Sequence, residues 1–329
     1  MTTNGSGQLS FAAAGGGPDL FAENYDGSST KPSATGTNAV GLGKNAVAGG
    51  GSSLAAGALS SSAGNLSSAI GYNATVGSSG AYAAAIGQAY ANAQDAFSAA
   101  IANNSSSYGA TGNYSISIGS SSKATAEYSA SFGQSNNVTG AYGAAFGRGN
   151  TVSSSGYCFG AENTSSASLA YAFGQKASSS TIGKFAFATS RFSSNGDAQE
   201  GKYILRSDTT NATAEALTTT NGTADATNQI VLPNNSAYAF HGTIVAREKA
   251  SEGTECAAWK VEGLIRREGS AGTTVLVNSA TTIIDNTYNW GMALSADTTN
   301  GCLKIEVTGA ASTNIRWVAT IHTSEVTYA

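Results

Sequence analysis

Reactive chemistry in this chain would have to come from few side chains: two histidines, three cysteines and twenty acidic residues among 329. A Ser–His–Asp arrangement requires His241 or His322 to meet a serine and a carboxylate in space. His241 follows the apolar run Ala237–Phe240 and His322 alternates with Ile321, so both read as structural or surface positions on strands. Glu248, Glu252 and Glu255, or Glu262 with Glu268, could supply the paired acids of glycoside cleavage, which needs carboxyl groups about 5–9.5 Å apart. Their charged surroundings favour solvated loops instead. Cys158, Cys256 and Cys302 lack metal-ligand spacing, and their odd number speaks against a disulfide framework. Neither a phosphate-binding loop nor a dinucleotide glycine fingerprint occurs. The expectation is therefore a protein that is not an enzyme and carries no cofactor or metal. Binding is the better use of these residues: Asn286, Tyr288 and Asn289 place an aromatic ring among amides and are the receptor-binding candidates, although turn-forming roles explain them equally well.

What must position such a site is a repeat. A Gly or Ala returns about every fourteen residues, at Gly43, Gly57, Gly71, Gly87, Ala102, Gly119, Gly133, Gly147, Gly160, Gly174 and Ala188. A period this short is one coil of a solenoid. One residue before the anchors stand Ile70, Ile86, Ile101, Ile118, Phe132, Phe146, Phe159 and Phe173, which are assigned as the repeat core. In a strand, neighbouring residues point to opposite faces. The other face carries Ala69, Ala85, Ser117, Ser131, Ala145 and Ala172, residues small enough for close backbone approach. The pattern predicts an all-β chain in which a parallel β-roll stacks its bulky stripe coil on coil. The small-residue face is expected to pack against identical chains around an axis.

Charge divides the chain further. Only 11% of residues are charged, eight of them between 44 and 190 and twenty-three between 196 and 329. Three segments follow: 1–40, an attachment or flexible piece with Gly15–Gly17 and Pro18; 41–192, the roll; and 193–329, an antiparallel β-sandwich or jelly-roll-like domain. Eight candidate strands fall in the last segment, including Ala257–Arg267 and Ile315–Val326, with Trp259 and Trp317 on buried stripes. A net charge of −4 without a basic cluster argues against nucleic acid. No secretory signal and no run long enough to span a bilayer is visible, so no membrane insertion is expected.

The units Ala39-Val-Gly-Leu-Gly-Lys-Asn-Ala46, Ser68-Ala-Ile-Gly-Tyr-Asn-Ala74 and Ala84-Ala-Ile-Gly-Gln-Ala89 resemble the head repeats of YadA-like trimeric adhesins, over about 39–190. That resemblance implies a left-handed parallel β-roll wound as a homotrimer. The stretches Gly201-Lys-Tyr-Ile-Leu-Arg206, Ala258-Trp-Lys-Val-Glu-Gly-Leu-Ile-Arg266 and Ile315-Arg-Trp-Val-Ala-Thr-Ile321 resemble the terminal β-domain of bacteriophage tail-fibre proteins. Together they imply a homotrimeric tail fibre of a phage virion, assembled in the host cytoplasm. Its partners would be other virion or tail proteins through the N-terminal segment, and a glycan or protein of the bacterial surface. A bacterial trimeric adhesin fragment and a capsid decoration fibre are the alternatives.

Overall fold

A computed structural model of the chain describes residues 2–3, 9–10, 31–100 and 107–328. Most of the candidate attachment segment 1–40, together with Ile101 and Ala102, lies outside them. Among the described residues the fold is all-β, with a single 3-10 turn at Ala271–Thr273. From Ser33 to Ala188 each coil supplies one longer strand and one two-residue strand. The short strands form an 11-stranded parallel sheet, and the longer ones run from Val40–Leu42 to Phe185–Ala188 in a second sheet of 16 strands in all. The two sheets lie back to back as a parallel β-solenoid.

Backbone geometry explains the anchors. Gly133 has φ 117°, in the region that favours glycine, and a Cβ there would strike the carbonyl of Gly147 in the next coil. Successive coils stay in register, so Phe132, Phe146, Phe159 and Phe173 fall opposite one another. One anchor differs from the expectation. Gly87 pairs with Ala100 and Ile86 with Ala99, and Ala99 then pairs with Ile118. Ala99 therefore holds the position assigned to Ile101, and the coil is anchored two residues before Ala102. The dipeptide Ile101-Ala102 imitates the repeat motif, and spacing alone cannot locate an insertion inside a coil.

The second correction concerns facing. Ala55, Ala69, Ala85, Ala145, Cys158 and Ala172 are fully buried, opposite the equally buried Ala48, Val76, Ala91, Val138 and Val152 of the short strands. The small residues are the interior of the roll. The stripe assigned as repeat core is on the outside: Ile70, Ile86, Ile118 and Phe146 are 36–44% exposed, and Phe132, Phe159 and Phe173 are half-buried. Two strands per coil leave a gap too thin for long aliphatic or aromatic side chains, so Ala, Ser, Gly, Cys and Val fill most of the space between the sheets.

Nine antiparallel strands follow, labelled β1 to β9: Ala198–Thr209, Ala214–Ala216, Ile230–Val231, Ser236–Glu248, Cys256–Arg267, Val275–Asp285, Gly291–Asp297, Cys302–Thr308 and Ile315–Thr327. The sheet does not break where the chain leaves the roll. Phe185–Ala188 pairs antiparallel with β1, and the order continues β1-β9-β4-β5-β6. A smaller sheet centres on β8, flanked by β7, β2 and β3. Between them lies one apolar core in which Trp317 stacks on Trp259 at 5.7 Å and meets Trp290 edge-on at 5.8 Å. The Trp317 indole donates to Thr209 Oγ1 at 2.9 Å, so the largest buried ring leaves no polar atom unpaired.

Candidate functional site

The surface that distinguishes this molecule is the outer face of the 16-stranded sheet. Strand alternation puts the bulky stripe there, and parallel register stacks it. Phe132, Phe146, Phe159 and Phe173 form a ring ladder with centroids 4.8–4.9 Å apart. A second ladder runs beside it in the adjoining turn: Tyr114, Tyr128 and Tyr142 stack at 4.8 and 5.1 Å. Those tyrosines hold φ near 55–60°, the left-handed conformation that closes each coil. Towards the last coils the aromatic moves inward by two residues, to Tyr157, Tyr171 and Phe185, which keeps the face filled. The outer face of the short-strand sheet carries Ser61, Thr75, Lys123, Asn137, Thr151 and Thr164 instead, with Val47 and Tyr90 as its apolar exceptions. The rod thus has one apolar side and one polar side.

Two structural devices escaped the sequence reading. Asn136, Asn150 and Asn163 form a buried ladder in the turn after the anchors. The Asn150 side chain donates to the carbonyls of Phe146 and Gly160 at 3.1 and 2.9 Å, and its oxygen accepts the Asn163 N–H at 3.0 Å. The signal available was an Asn three residues after three consecutive glycine anchors. The second device closes the open end of the roll. Lys184 occupies a slot that is Ala, Ser or Gly in most other coils, is 3% exposed, and reaches Glu325 Oε2 at 2.5 Å. Glu325 also accepts from Gln199, Tyr203 and Thr323, and Gln199 bonds both backbone groups of Ser178 in the last short strand.

The sequence candidates occupy several places. Asn286 spends its amide on the loop between β6 and β7, donating to the Trp290 carbonyl at 2.8 Å and accepting its N–H at 2.9 Å. Asn289 takes φ 56° in the same turn, and Tyr288 is 52% exposed between them, its ring 6.3 Å from Trp290. The three are therefore neighbours in one loop, with Tyr288 presenting its ring to solvent. His241 and His322 face each other across β4 and β9, rings stacked at 5.4 Å, and His322 Nδ1 lies 3.6 Å from Glu200. Glu252 accepts the N–H and the side-chain amide of Asn314, both at 2.7 Å, and these bonds hold its carboxyl below the usual range. Glu248 accepts the Glu255 N–H, Glu262 pairs with Lys260 at 3.8 Å, and Glu268 pairs with Arg266 at 2.6 Å. All three cysteines are free, and burial pushes the Cys158 and Cys302 thiols up to about 12. Among the described residues no group of three or more His, Cys, Asp or Glu is placed to hold a metal, and no helix is long and apolar enough to cross a membrane.

No protein-family model matches the chain. No curated protein matches it either. Among solved structures it is similar to tailspike protein gp49 from Acinetobacter baumannii bacteriophage Fri1, described as a capsular polysaccharide depolymerase. The identity is 8% and the TM-score 0.22; the match covers 80% of this chain and 46% of the tailspike, so the chain spans about half the length of that neighbour. The expectation that the chain is not an enzyme is corrected by this finding, because the neighbour is itself described as a depolymerase. At this TM-score the likeness assigns no activity to this chain.

Proposed function

We propose that the chain is a structural and host-binding component of a bacteriophage virion, most specifically a homotrimeric tail fibre. Residues 41–192 serve as its rigid spacer, 193–329 engage a glycan or protein of the bacterial surface, and 1–40 join other virion or tail proteins. The observation that carries the reading is the apolar ladder on one side of the roll, with a polar face on the other. Contiguous exposed apolar surface marks a protein contact. The small residues are already used inside the roll, so identical copies meet through the ladder and not through the small-residue face. The repeat motifs, which resemble YadA-like heads, supply the number of copies. The C-terminal stretches, which resemble tail-fibre domains, supply the phage assignment. Three weak contacts on one shaft raise effective affinity by about 10²–10⁴ when they engage together. In each copy Tyr288 is the contact, on a loop that Asn286 braces and Asn289 turns.

Antibody raised against residues 193–329 tests the assignment on intact particles. Label at the tail, with purified full-length protein blocking adsorption to the host, is the expected result. Label spread over the shell would replace the fibre by a capsid decoration protein, and recovery of the chain on a bacterial surface would replace it by an adhesin. In the adsorption assay Tyr288→Ala is expected to weaken blocking at least tenfold without changing the assembled mass.

A further inference from the structure

Histidine occurs twice in the chain, and the fold puts the two side by side. His241 on β4 and His322 on β9 stand directly opposite each other, so both side chains leave the same face of the large sheet. Their rings stack at 5.4 Å with 11° between the planes. The two strands pair over thirteen residues, and β5 and β1 flank them on their other sides. The backbone therefore fixes the separation of the two rings at their roots. Thr243 and Thr320 form the next pair on this face in one direction, Ala239 and Ser324 in the other, so the imidazoles stand above short neighbours. The charged groups around them are Lys202, across from His322 on β1, Glu262, across from His241 on β5, and then Glu200 and Lys260. Two acids and two lysines cancel, and Lys260 is 3.8 Å from Glu262. Among the described residues no side chain or carbonyl hydrogen-bonds either ring; the ionic neighbour is Glu200 Oε1, 3.6 Å from His322 Nδ1.

We propose that His241 and His322 form a two-imidazole site for a late first-row divalent metal ion of the Zn²⁺ type. Neutral imidazole is the commonest protein ligand for such ions, and both rings have ligand nitrogens free. Metal–nitrogen bonds are about 2.0–2.1 Å, so two nitrogens on one ion lie within about 4 Å of each other. The stacked rings reach that separation by turning about the Cβ–Cγ bond, a torsion that is broad in histidine. Glu200 favours the proton on Nδ1 of His322, which leaves the lone pair on Nε2 for the ion. Two protein donors leave the other coordination positions to water, in keeping with the lack of a larger ligand cluster among the described residues. Imidazole selects Zn²⁺, Ni²⁺ and Cu²⁺, whereas Ca²⁺ and Mg²⁺ prefer oxygen. The pair exists only when β4 and β9 are joined, so the ion binds the folded chain and stabilises it. The site does not depend on the fibre reading.

The test is calorimetric titration of the full-length chain with ZnCl₂ or CaCl₂ at pH 7.5, in a Cys256→Ser background that removes the exposed thiol. Zn²⁺ is expected to bind and to raise the unfolding midpoint, and Ca²⁺ to do neither. His241→Ala and His322→Ala, each checked by circular dichroism for an unchanged β signal, are expected to weaken Zn²⁺ binding at least tenfold and to abolish the shift in midpoint. Binding should also fade as pH falls through about 6.5, where imidazoles take up protons. No Zn²⁺ binding by the background chain, binding that survives either substitution, or an equal response to Ca²⁺ would overturn the site.

Discussion

Asn150 illustrates how much of the roll depends on single side chains. Its amide bonds carbonyls of two successive coils from a fully buried position in the turn. Unmade buried hydrogen bonds cost about 1–3 kcal/mol each, so Asn150→Ala is expected to destabilise the roll by about 2–4 kcal/mol in chemical denaturation, while an exposed Ser135→Ala change is neutral. Asp197 does similar work where the roll hands over to β1. Burial opposes its charge, but the N–H groups of Ser194, Ser193 and Phe192 outweigh that and hold the carboxyl below its usual range. A depressed carboxyl stabilises fully above its unfolded value, about 3.9, and loses that contribution as pH falls through the folded value. The melting temperature of Asp197→Asn should therefore lie below that of the unaltered chain at neutral pH and converge with it in acid, below about pH 4. A constant gap between the two would show that the carboxylate is not the source.

At the scale of the element, the coil was legible in the sequence and its inside was not. The glycine phase and the alternation of Phe132 with Ser131 fix which residues share a face, because the period of a strand is two. Which face is interior depends on the width of the gap, and that is set by the pairing of two sheets that sequence alternation does not reveal. Had the short strands been read beside the long ones, Ala48, Val76 and Ala91 facing Ala55, Ala69 and Ala85 would have indicated the answer. The antiparallel strands were easier: Trp259, Val261 and Ile265 alternate against a single apolar core, so bulky-in and polar-out held. The loop that carries Asn286, Tyr288 and Asn289 was legible through its turn-forming residues, and the structure leaves Tyr288 exposed on it. The buried Lys184 was missed because one lysine in a small-residue slot looks like an accident until Glu325, 141 positions away, is seen beneath it.

Three substitutions are tests at this scale. Ala145→Asp puts an unpaired carboxylate between the sheets, and circular dichroism should show the roll lost. Ile118→Asp lies outside, so the coil should persist while copies separate. Lys184→Met leaves Glu325 buried without its cation, a loss of about 3–5 kcal/mol in stability that should appear as earlier unfolding of β1 and β9 in hydrogen exchange.

At the scale of the whole molecule, one 16-stranded sheet begins as a wall of the solenoid and ends as half of a sandwich, with no break between Phe185–Ala188 and β1. Such continuity makes a stiff rod, since bending at the junction would break the ladder, the Lys184 clamp and the Gln199 bonds to Ser178 together. Sparse charge along the roll and a net charge of only −4 give little electrostatic protection against association, and the apolar side is the surface that the proposed trimer covers. The mass of the full-length protein in dilute neutral buffer, by sedimentation equilibrium, tests this most directly. Three times 32.7 kDa, falling to one chain in Ile118→Asp with the β signal retained, is the expected result. A folded single chain of 32.7 kDa, stable with its phenylalanine ladder in water, would contradict the account.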